Sequence, residues 1–134
     1  MTVKQTRVEN QAVNAEGSPL MDLQAIEARF DGLADITDRV AMVNTPYDVD
    51  LDAAIDEMHA FIDEATGWNP NHMTEDALKF YLSHMSFHRE IVAEIIAEAR
   101  RVLLDERRDQ VKRLVQYHKQ FTRWLAALEK RYAA

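Results

Sequence analysis

Apolar residues recur every three or four positions along most of this chain, the spacing that places them on one face of a helix. The first stripe runs Leu23, Ile26, Phe30, Leu33, Ile36, Val40 and Val43. Ser18-Pro19 supplies a start signal, with serine as the N-cap and proline in the first turn. Gly32 lies inside the stripe, where a glycine costs about 1 kcal/mol relative to alanine; close approach of a second helix is one reason to keep it. Asn44-Thr-Pro-Tyr-Asp48 ends the element by turn chemistry.

A second helix is predicted from about Asp50 to Thr66, with Leu51, Ile55, Met58, Ile62 and Ala65 on its stripe and Gly67 as its C′ residue. Thr74 is the next N-cap, followed by Glu75 and Asp76 at the positive end of a helix dipole. Beyond Thr74 the chain has no glycine or proline. Its seam reads Leu78, Tyr81, Met85, His88, Val92, Ile95, Ala99 and Leu103, then Val111, Leu114, His118, Phe121, Leu125, Leu128 and Tyr132. The step from Leu103 to Val111 crosses the wholly charged Asp105-Glu-Arg-Arg-Asp109. Two readings compete there: one helix of roughly 85 Å with a phase shift, or an antiparallel hairpin. Missing turn residues favour the unbroken helix.

The expected fold is therefore all-α: two antiparallel amphipathic helices and a long C-terminal helix or helical hairpin. Residues 18–134 form one helical domain, and the polar residues 1–17, which lack any period, form an N-terminal arm. No segment alternates as a strand does. A helix too long for its own chain to cover would leave the apolar residues Leu78, Tyr81, Met85, Val92, Ile95, Leu103, Val111, Leu114, Phe121, Leu125 and Leu128 available to a second copy or another protein. A non-catalytic interaction module that self-associates or joins a larger assembly is the leading expectation.

Charge adds a polarity that the net value of −7 conceals. Residues 1–76 carry 16 acids and 4 bases, whereas residues 77–134 carry 7 acids and 12 bases. Asp52, Asp56, Glu57, Asp63 and Glu64 make an acidic face on the second helix. Arg101, Arg108, Lys112, Lys119, Arg123 and Lys130, spaced 7, 4, 7, 4 and 7 apart, make a basic stripe near Tyr117 and Trp124. The two halves are expected to pair with each other. Nucleic-acid contact through the basic stripe is a second reading, and mimicry of nucleic-acid charge by the acidic face a third.

Candidate chemistry narrows the picture further. With no cysteine, thiolate metal sites and a cysteine nucleophile are excluded. Asp48-Val-Asp50-Leu-Asp52 resembles the opening of a calcium loop, but Ala53 and His59 occupy the positions that need glycine and glutamate. His84 and His88 share a helix face at metal-ligand spacing, but two ligands are not a site and His59, Asp56 or Glu57 would complete it only if the acidic helix packs against them, so they are weak metal candidates. Ser83 and Ser86 have no nucleophile-elbow glycine motif, and three scattered glycines cannot build a phosphate loop. No enzyme activity, cofactor or membrane contact is expected. The N-terminus has no apolar signal core, so a cytoplasmic location is the default.

Overall fold

The computed structural model describes residues 20–47 and 49–132. The N-terminal arm, Ser18-Pro19 and Asp48 lie outside the described residues. The architecture is an all-α bundle. Helix α1 spans Leu23–Arg29, α2 Leu33–Val40, α3 Leu51–Thr66, α4 Glu75–Val102 and α5 Arg108–Tyr132. Short 3-10 turns at Ala41–Asn44, Pro70–His72 and Asp105–Arg107 link them.

Side-chain caps fix where the helices begin. Asp22 accepts from the Ala25 amide at 2.9 Å, Asp50 from Ala53 at 3.0 Å and Thr74 from Ala77 at 3.3 Å. Each bond satisfies an amide that the first helical turn leaves without a partner. The first stripe does not form one helix. Gly32 adopts φ +91°, a left-handed conformation that separates α1 from α2. A Cβ at Gly32 would meet no atom within 4 Å, so its role is backbone freedom and not close helix approach. Gly67, expected in the left-handed C′ role, keeps φ −83°, and its amide donates to the Glu64 carbonyl at 3.0 Å.

The larger departure is at the end of α4. The chain does not continue as one long helix. Leu103 takes φ 56° and ψ 52°, Leu104 is extended, and α5 returns antiparallel along α4. Leu103 is the only non-glycine residue at positive φ among the described residues. That conformation costs a leucine about 1–2 kcal/mol. Arg107 helps to hold the turn: its guanidinium donates to the carbonyls of Thr45 and Tyr47, fastening the turn to the α2–α3 connection. A tertiary contact thus supports a turn that lacks the usual turn residues.

Once the hairpin closes, the seam folds onto itself. Tyr81, Met85, Val92, Leu114 and Leu125 are fully enclosed, and Ile95, Phe121 and Leu128 are buried. Leu78 and Val111 pack against this core, while Leu103 leaves it and is 75% exposed. The proposed exposed seam is thereby corrected: apart from Leu103 it is the interior of one chain. Helix α1 covers α4, α2 packs on α3, and α3 lies against α5. Phe30 anchors this cover, with its ring 5.4 Å from Trp68 and 4.4 Å from His84. At the open end of the hairpin Arg89 pairs with Glu129 at 2.8 Å, and the Tyr132 hydroxyl donates to Asn71 Oδ1 at 2.8 Å.

Leu114→Asp and Phe121→Asp place a charge in this core and are expected to abolish helicity itself, read by circular dichroism. Leu114→Ala is expected to lower the unfolding free energy by about 2–5 kcal/mol. Leu103→Gly is expected to raise it by about 0.5–1 kcal/mol, because glycine adopts the left-handed turn without the Cβ penalty. Urea titration checks both signs.

Candidate interaction surfaces

The hairpin brings His88 of α4 against Tyr117 of α5, with His88 Nε2 and the Tyr117 hydroxyl 2.7 Å apart in the core. His59 of α3 meets the Tyr117 ring edge-on at 4.8 Å. Burial, with smaller contributions in the same direction from neighbouring His84 and His118, lowers the His88 pKa to about 4. Burial also raises the Tyr117 hydroxyl well above its ordinary range, with the Asp63 carboxylate adding to the rise. At neutral pH the pair is therefore an uncharged hydrogen bond that satisfies two polar groups inside the bundle. Tyr81 is used similarly, its hydroxyl donating to the Ala65 carbonyl at 2.6 Å.

The two weak metal candidates are engaged in packing. His84 stacks with Phe80 at 5.2 Å and lies beside Phe30, and burial lowers its pKa. His88 is occupied by Tyr117. Among the described residues, no group of three histidine, aspartate or glutamate side chains is arranged to hold an ion.

The acidic and basic halves meet within the chain, but only in part. Arg113 of α5 reaches Asp52 at 3.1 Å and Asp56 at 2.6 Å on α3. Arg39 pairs with Glu57 and, at 3.5 Å, with Asp35. Asp63 and Glu64 remain exposed without an ion pair. Arg113 does not belong to the basic stripe; its role depends on an approach between α3 and α5 that sequence spacing does not reveal.

The stripe itself is shortened by the hairpin. Arg101 falls in the last turn of α4, where it pairs with Glu98. Arg108 opens α5 and pairs with Asp105 at 3.2 Å. Lys112, Lys119, Arg123 and Lys130 form the remaining row, all exposed and none in an ion pair. The expected aromatic companions are elsewhere. Tyr117 is in the core, and Trp124 is half-buried, stacked on Phe121 at 5.8 Å with its edge toward Tyr81.

A second surface lies at the hairpin tip. A shallow cavity of about 200 Å³ has apolar walls from Ala99, Leu103, Leu104 and Val111, and a net basic rim in which Arg108 is paired with Asp105 while Arg100 and Lys112 have no ion pair among the described residues. Phe87 and Tyr47 are also exposed, at 58% and 65%, but their backbones are not in the left-handed region. Among the described residues, Leu103 alone combines exposure with a backbone conformation unfavourable to its side chain. Neither hydrophobicity pattern nor charge count could single it out, since both assign it to the seam. Compared with known families, curated proteins and solved structures, the chain matches no family model, no curated sequence and no solved structure.

The buried imidazole makes stability depend on pH. Below the ordinary histidine pKa of 6.5 the unfolded chain takes up a proton that folded His88 resists until about pH 4. The stability associated with neutral His88 is full above that range and falls as pH drops through it, by about 3 kcal/mol in total. Urea titrations from pH 7 to pH 4 are expected to show this slope, and His88→Gln to flatten it.

Proposed function

We propose that this chain is a non-catalytic helical interaction module that joins a larger assembly by docking a protein partner at the tip of the α4–α5 hairpin. The exposed, left-handed Leu103 carries this reading. Burial cannot account for a leucine that is 75% exposed, and backbone preference would select glycine at φ 56°. The fold holds the turn in place, but the Leu103 side chain gains no burial from it, and a side chain exposed at such a position is a candidate for a role outside the fold. The adjacent cavity gives an incoming apolar side chain somewhere to pack, and its basic rim suits an acidic flank. The enclosed seam argues against self-association through that surface. The structural use of His84, His88 and Tyr117 supports the non-catalytic reading.

Light scattering is expected to give the monomer mass of 15.5 kDa at low and high salt. A photo-crosslinking phenylalanine at position 103, expressed in the cells that make the protein, is expected to yield a discrete heavier adduct. The same group at Ala93, exposed on α4, is the control. An adduct at 103 that Arg100→Glu removes supports the tip as the contact. No adduct at position 103, or the same adduct from both positions, overturns it.

A further inference from the structure

We infer that the outer face of α5 is a docking surface for the phosphate backbone of a nucleic-acid duplex. Lys112, Lys119, Arg123 and Lys130 follow one another at intervals of seven, four and seven residues. At 3.6 residues per turn these intervals keep the four side chains within about 20° of one line. The row spans about 27 Å, less than one turn of duplex, so a straight helix laid across a groove can meet phosphates of both strands without bending either partner.

The chain leaves this row electrostatically unused. Arg39, Lys79, Arg89, Arg101, Arg108 and Arg113 all have carboxylate partners, Arg107 is bound to carbonyls, and Arg29 and Arg131 lie over the Trp68 and Tyr132 rings; away from the row only Arg100, at the hairpin tip, has none of these contacts among the described residues. The four row cations have none. Only two acids occur on α5: Glu129 is already paired with Arg89, and exposed Asp109, three residues before Lys112, offsets charge at that end of the row only. On α3, Asp52 and Asp56 are neutralised by Arg113. The local field is therefore positive although the chain as a whole is acidic, and local fields steer charged partners.

The surroundings of the row select among polyanions. Gln116, Gln120, Ala126 and Ala127 flank it, all exposed. No large apolar side chain stands there to insert into a membrane interface. Among the described residues, no ring beside the row is fully presented for stacking against unpaired bases: Tyr117 and Phe121 are buried, and Trp124 is half-buried against Phe121 and Tyr81. Cations with amide neighbours and no stacking platform suit the sequence-independent backbone of a paired strand.

Fluorescence anisotropy with a labelled duplex DNA and a labelled duplex RNA, against the full chain, tests the inference; the tighter of the two identifies the natural source. Four phosphate contacts predict a log–log salt slope of about −3.6, so affinity should fall about 100-fold between roughly 50 and 200 mM salt. Lys119→Glu with Arg123→Glu should weaken binding at least about tenfold, the loss expected from removing two such contacts. Arg29→Glu with Lys79→Glu makes the same net-charge change away from the row and should alter binding by less than about twofold. Circular dichroism should be unchanged in the row variant, since both residues are exposed. Leu103→Gly should leave duplex binding intact, which separates this surface from the hairpin tip. The inference is overturned if no duplex binds at low salt, or if the row variant binds as the parent does. It is also overturned if polyglutamate, single strands or anionic vesicles bind as tightly as duplex, since the row would then serve another polyanion.

Discussion

Reversal of the chain at Leu103 determines what becomes core and what becomes surface. Once α5 turns back along α4, two halves of one apolar seam face each other and exclude water. That burial supplies the dominant favourable term in folding, and it offsets the local cost of a leucine in the left-handed region. Arg107 extends the constraint beyond the hairpin, since its bonds to Thr45 and Tyr47 tie the turn to the α2–α3 connection. The position of α3 against α5, and hence of Arg113 against Asp52 and Asp56, belongs to the same arrangement.

The same closure decides the role of the polar residues. His88 and Tyr117 are 29 positions apart in sequence, yet they become one enclosed hydrogen bond. An isolated buried imidazole or phenol would carry a desolvation penalty, and each relieves the other. Their joint burial keeps the imidazole neutral, so the pair favours one register of α4 on α5 without placing a charge in the core. His84 is drawn into an aromatic group around Phe30 in a comparable way. Residues that resemble fragments of a catalytic or metal site thus have structural occupations.

Charge is divided by geometry and not by segment. The acidic helix draws Arg113 and Arg39 inward, which partly quiets its own field. The row cations on the outer face of α5 make no ion pair with those carboxylates. The result is a net-acidic molecule with one basic line, and a hairpin tip where cations border an apolar hollow. These two surfaces differ in chemistry: the tip offers shape and apolar contact, the line offers only regularly spaced charge.

Much of the local structure was legible in the sequence, because helix periodicity and capping depend on neighbours a few residues away. Asp50 and Thr74 begin helices where their positions indicated, and Leu51–Thr66 closely follows the expected second helix. The all-α class and most of the core follow from the same short-range pattern. The tertiary structure alone decided the hairpin, because its turn is supported by Arg107 bonds to residues about 60 positions away and by packing across the seam. It also decided that Gly32 divides a continuous stripe, that Leu103 leaves the core, and that Arg113 is paired while Lys112 is not. Periodicity assigns a residue to a face of its own helix; only the approach of another helix determines whether that face meets protein or water.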